Sequence, residues 1–174
     1  PPLQARDVVL ITSKILAIHQ GRCVPVLPRK EKDHLILQEA EWYVPRKQVP
    51  HGYAILTIKG NTLISSAGID ESNANNYMVL WPHHIQALLK DIAAHLKKKY
   101  KIKQVGIIAT DSHSVPLRFG TVGISIGSYG IEPLHDYRGS KDIFGRTLKS
   151  TQSNVVDALA AAGVFLMGEG NEQV

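Results

Sequence analysis

A chain of 174 residues with 44% apolar residues falls in the single-domain range and holds enough apolar mass for one sizeable core, which excludes any need for disulfides or a structural metal. The single Cys23 rules out an intramolecular disulfide, and with no signal-like leader and no long apolar run the expectation is a cytoplasmic protein with no membrane partner. The formal charge of +5 points to acidic partners, but the one tight basic cluster, residues 97–103, closes a predicted helix whose dipole favours cations there; a phosphorylated small molecule suits the charge better than nucleic acid.

Val8, Val9, Leu10 and Ile11 form an apolar run ending in Thr12-Ser13-Lys14, which reads as a buried strand placing Ser13 and Lys14 for ligand contact. Residues 30–43 read as a helix through the spacing of Leu35, Gln38, Glu39 and Trp42, with Pro45 as the stop. Residues 53–58 and 62–66 alternate around Gly60-Asn61, as a hairpin does. An amphipathic helix begins near Pro82, with Ile85, Leu88, Leu89, Ile92, Ala93 and Leu96 on one stripe. Residues 105–109 form a strand ending at Thr110-Asp111, and residues 121–128 alternate Val122, Ile124 and Ile126 with smaller side chains. A final helix starts at the hydroxyls of residues 150–153 and runs through Val155, Leu159, Ala162 and Leu166 to Gly168. Strands interleaved with helices, and more hairpin than crossover signals, predict an α+β domain over residues 1–174 with a mixed, largely antiparallel sheet.

Four polar segments carry candidate chemistry. Ala67-Gly68-Ile69-Asp70-Glu71-Ser72-Asn73 follows a strand, and its Asp-x-x-Asn reads either as a side-chain-bonded turn or as half of a metal site. Thr110-Asp111-Ser112 brings a second carboxylate to a strand end, where it either caps the next turn or joins Asp70 around magnesium or manganese, hard cations that take one or two carboxylates alongside substrate phosphates. The 136–146 loop contains Tyr137, Arg138, Lys141 and Arg146 and reads as an anion-binding loop or as a solvated one with internal Asp-Arg pairs. Met167-Gly168-Glu169-Gly170 offers a third carboxylate that completes a two-metal cluster, or else a simple helix end. The histidines show no zinc spacing, and neither a phosphate-binding P-loop nor a nucleophile elbow is present.

Together, Thr12-Ser13-Lys14, the 67–73 segment, Thr110-Asp111, the 118–127 stretch, the 136–146 loop and Met167-Gly168-Glu169 resemble the coenzyme F420-0:L-glutamate ligase family along nearly the whole chain. The resemblance implies that family's α+β fold and a homodimer. It implies a ligase that uses GTP and two divalent cations, magnesium or manganese with potassium as a further candidate, to join L-glutamate to F420-0 or a similar anionic acceptor. On that resemblance Asp70, Asp111, Ser112 and Glu169 are metal ligands, with Asp70, Asp111 and Lys14 catalytic. Ser13, Lys14, Asn73, Gly168 and Glu169 hold nucleotide and cations. Arg118, Tyr137, Arg138, Lys141 and Arg146 bind substrate. It also implies that an amino-terminal segment and a carboxyl-terminal strand lie outside residues 1–174.

The chain departs from the family pattern at Ile18 and Val115, where a lysine and an arginine are usual, and at His113-Ser114, where Phe-Gly is usual. These departures motivate two alternatives: a glutamyl ligase for another acceptor such as a folate, and a non-catalytic anion-binding relative.

Overall fold

The computed structural model describes residues 2–115 and 117–172; Pro1, Pro116, Gln173 and Val174, including both chain ends, lie outside the described residues. Strand β1 (Val8–Thr12) leads directly into helix α1 (Ser13–His19), followed by β2 (Cys23–Pro25), α2 (Arg29–Glu39), β3 (Trp42–Val44), β4 (Leu56–Lys59) and β5 (Thr62–Ser65). Then come β6 (Tyr77–Val79), α3 (Ile85–Tyr100), β7 (Gly106–Ser114), β8 (Thr121–Tyr129), β9 (Leu134–Asp136), β10 (Gln152–Asn154) and α4 (Val155–Met167). The strands form four small sheets, β1-β7-β8, β3-β4-β5, β2-β6 and β9-β10, in which β1 and β7 are parallel and every other pairing is antiparallel. The α+β, largely antiparallel expectation is met.

The β1-β7-β8 sheet is the platform for the site. Successive side chains on a strand point to opposite faces. Ile107 and Ala109 therefore join Leu16 of α1 and Leu89 and Ala93 of α3 on one face, while Ile108 meets Val156 and Ala160 of α4 on the other. Val9 and Ile11 follow the first set, Val8 and Leu10 the second. A Cβ on Gly123 of β8 would stand 2.5 Å from the Ala160 carbonyl oxygen, so α4 reaches its seat only because that position has no side chain. A second apolar cluster, Ile36, Ile55, Ala67, Ile69, Met78 and Leu80, holds α2 against the smaller sheets.

Helices α2 and α4 and strand β7 differ from the sequence reading, and α1, β2, β6, β9 and β10 lie outside it. Helix α2 stops at Glu39; Trp42–Val44 pairs with β4 instead, Trp42 opposite Ile58. The β-favouring Trp-Tyr-Val triplet and the following proline override helical spacing there. Strand β7 does not end at Thr110-Asp111 but continues to Ser114, after a bulge at Ala109/Thr110 that leaves Ile126 of β8 unpaired. Helix α4 begins at Val155 rather than at the hydroxyls of residues 150–153. Its cap is Asn154, whose side-chain oxygen accepts the Asp157 N–H at 3.0 Å, because Gln152–Asn154 is committed to pairing with β9. Residues 97–99 fill the last turn of α3, where the helix dipole favours their charge. No helix among the described residues is long and apolar enough to cross a membrane.

Candidate active site

Strand β1 ends where α1 begins, so Lys14 sits in the first turn of a helix whose Leu16 and Ala17 are buried. Its ammonium therefore cannot turn into the core, and it points across to the segment after β5. There Lys14 Nζ donates to Asp70 Oδ2 at 2.6 Å, to Ser72 Oγ at 3.2 Å and to the Ser72 carbonyl. The Ser72 N–H and hydroxyl in turn donate to the Asp70 carboxylate at 2.8 and 2.7 Å. Burial pushes the Asp70 carboxyl upward, but Lys14 and the two Ser72 donors outweigh it and hold its pKa below the ordinary value. The turn alternative is realised, since Asp70 is bonded within its own turn, and the same residue lines a cavity.

Asp111 lies just past the β7 bulge. Burial pushes its pKa up to about 6, and the negative charge of Asp70 adds to the rise, against the opposing hydrogen bonds from the Trp81 indole, the Ser112 N–H and the Ser13 hydroxyl. The Ser112 N–H donates to Asp111 Oδ1 at 2.9 Å and the Trp81 Nε1–H donates to Oδ2. At the end of α4, Gly168 turns the chain and Glu169 accepts from the Ser112 hydroxyl at 3.3 Å and the Thr121 hydroxyl at 3.4 Å. Asn73 closes the ring, its side-chain amide donating to the Gly170 carbonyl at 3.0 Å.

These residues line one cavity of about 370 Å³, in which Lys14, Asp70, Asn73, Asp111, Ser112, Gly168 and Glu169 meet. Three carboxylates share the wall with one ammonium, the oxygens of Asp70, Asp111, Ser112 and Glu169 are hard donors, and the two aspartates repel each other. That set fits magnesium or manganese better than a soft metal. Among the described residues no three Asp, Glu, His or Cys side chains converge closely enough to hold an ion.

Ser13 is buried and does not line the cavity. Arg118, Tyr137, Arg138, Lys141 and Arg146 do not line this cavity. The 136–146 loop follows the internal-pair alternative in part. Arg138 forks onto Asp136, with Nε at 2.9 Å from both carboxylate oxygens, and that guanidinium holds the Asp136 carboxyl down at about 2. Sequence reasoning missed Trp81 and Ser72. The only signal for Trp81 was an unexplained Trp-Pro pair ahead of α3, and Ser72 lay unremarked inside the Asp70 motif.

Fold and cavity together define an α+β protein with an acidic, lysine-guarded cavity set at a strand end. The chain belongs to the F420-0:gamma-glutamyl ligase family, whose model matches residues 2–174. It is 35% identical over 139 residues to the coenzyme F420:L-glutamate ligase of Methanopyrus kandleri, covering 79% of this chain and 54% of that relative. It is 31% identical over 189 residues to the enzyme of that name from Methanocaldococcus jannaschii and 34% identical over 182 residues to that from Methanosarcina mazei. This chain spans 74% and 71% of those two proteins, against about half of the first.

Proposed function

We propose that the chain carries the catalytic cavity of a cytoplasmic ligase that joins L-glutamate to a carboxylate of F420-0, using GTP as phosphoryl donor and divalent magnesium or manganese, with potassium as a further ion. The observation that carries the reading is the convergence of Lys14, Asp70, half-buried Asp111 and Glu169 on one cavity. Among the described residues Lys14 is the one cation on its wall, and a polyphosphate site requires a cation. Asp70, Asp111, Ser112 and Glu169 would hold the divalent ions, which on binding offset charge on the phosphates.

In the proposed reaction the acceptor carboxylate attacks the γ-phosphorus of GTP and GDP leaves, giving an acyl phosphate. The glutamate amine then attacks the acyl carbon, phosphate leaves, and the amine proton passes to solvent or to the departing phosphate. Lys14 steadies the phosphate oxygens through the transfer, where preorganised charge contributes most. Asn73 and the Gly168–Glu169 turn hold the nucleotide in line. Arg118, Tyr137, Arg138, Lys141 and Arg146, off the cavity wall, are assigned to the acceptor, and a homodimer supplies a route by which such loops reach a neighbouring site.

The test is glutamate incorporation with F420-0, GTP and manganese, followed by mass spectrometry of the product. A gain of one glutamyl group together with GDP release is expected. A parallel folate reaction that proceeds while the F420-0 reaction does not would move the assignment to another acceptor. GTP binding without product from either acceptor would reduce the domain to a non-catalytic relative.

A further inference from the structure

Trp81 joins the interior of the fold to the candidate site. Its side chain is 3% exposed, and its indole N–H donates to Asp111 Oδ2. The backbone around it is fixed from one side: the Trp81 carbonyl accepts Arg22 Nε at 3.1 Å, and Arg22 is paired at 2.6 Å with Glu39, which also holds Lys59 at 2.5 Å. Gln20 brackets the chain two residues on, donating to the His83 carbonyl at 2.9 Å and accepting the His83 N–H at 2.8 Å. Exchanging a buried partner of such a network disturbs its neighbours, so the indole is not free to turn.

From the other side the ring lies against Gly68. A Cβ there would stand 2.2 Å from Trp81 Nε1. Gly68 ends a left-handed turn, Ser66–Gly68, with φ of 54°, 53° and 73°. Two of its residues are not glycine, and non-glycine residues are disfavoured there, so the turn persists only where its surroundings hold it. Buried Thr57 does so, its hydroxyl accepting the Ala67 N–H at 2.8 Å and donating to the Ile64 carbonyl at 2.5 Å. The turn thereby presents the glycine face to the indole.

We propose that Trp81 is a positioning residue for the reaction: its indole N–H, admitted by the missing side chain at Gly68, fixes the Asp111 carboxylate in the rotamer that serves the cation and phosphates. With Oδ2 engaged by Trp81 and Oδ1 by the Ser112 N–H, the carboxylate has one orientation open to it. Partners that orient metal-binding side chains typically change metal affinity or activity by about 10–100-fold when removed. The inference rests on the cation-dependent reading of the cavity.

The test compares wild type, Trp81→Phe, and the protein carrying benzothienylalanine at position 81, which keeps the bicyclic shape and removes the N–H. Free manganese is counted by electron paramagnetic resonance during titration, and KM for glutamate is measured separately from the manganese requirement of turnover. Wild type is expected to bind manganese, and both substitutions to weaken that binding by about 10–100-fold with an unchanged circular dichroism spectrum and glutamate KM. The benzothienyl protein binding manganese as tightly as wild type would overturn the proposal, even were Trp81→Phe to misfold. Wild type binding no manganese would overturn the cavity reading and this proposal with it. A Trp42→Phe background, in which Trp81 is the one remaining tryptophan of the two, adds a spectroscopic check. Manganese should quench its emission, and Asp111→Asn should abolish the quenching.

Discussion

Asp111→Asn should make the cation-free protein more stable at neutral pH while abolishing cation binding. Burial and the neighbouring Asp70 raise the Asp111 pKa from 3.8 to about 6, two units that correspond to ~3 kcal/mol borne by the folded state wherever the group is ionised in both states. Above pH 6 that cost is fully present. As pH falls from 6 towards 3.8 the native protein takes up a proton before the unfolded chain does, so wild type recovers stability, and below about 4 the cost is gone. Asparagine has no charge and no such profile. Its amide oxygen still accepts from Trp81, but the Ser112 N–H loses its acceptor, at about 1 kcal/mol. The variant should therefore be ~2 kcal/mol more stable than wild type near pH 7.5 and ~1 kcal/mol less stable near pH 3.5. Urea unfolding in a chelator at both pH values measures this. A variant that is less stable at both, or a difference that does not change with pH, would refute the reasoning.

Other perturbations separate the parts of the site. Lys14→Met removes the one cation on the cavity wall and should lower nucleotide affinity at least about tenfold by calorimetric titration, because a charge-assisted contact is worth more than 1.4 kcal/mol when desolvated. Gly123→Val drives a side chain against the Ala160 carbonyl and should destabilise by about 1–3 kcal/mol in urea unfolding, while shifting α4 and weakening the contribution of Glu169 to manganese binding. Asn154→Ala deletes the α4 cap and should cost about 1 kcal/mol with nucleotide affinity unchanged, since Asn154 is off the cavity wall.

What the sequence disclosed follows from the range of each signal. Helix α3 and the β4-β5 hairpin were legible because their apolar residues repeat at a period set by the element itself, and the platform strand β1 because four apolar residues run together. Helix α1 was not, since seven residues are too few for periodicity to show. Strand β3 was hidden because Trp42 completes a helical stripe as well as a strand, and only its partner β4 decides between them. The carboxylates named as candidates meet on one cavity, but the bulge that leaves Asp111 inside β7, half-buried, depends on register against β8. Trp81 meets Asp111 across residues far apart in sequence, and no local pattern encodes such a contact.

The charge balance of the cavity ties stability to function. Three carboxylates share the cavity wall with one ammonium, and burial together with the charge of Asp70 holds the Asp111 pKa above its ordinary value. A fold stable by only about 5–15 kcal/mol keeps such a group where something outside the chain relieves it. On the proposed reading that agent is the divalent cation, which binds the folded state alone and at a hundred times its dissociation constant adds about 2.7 kcal/mol. The repulsion between Asp70 and Asp111 would then be relieved by the ion and become part of the affinity for it.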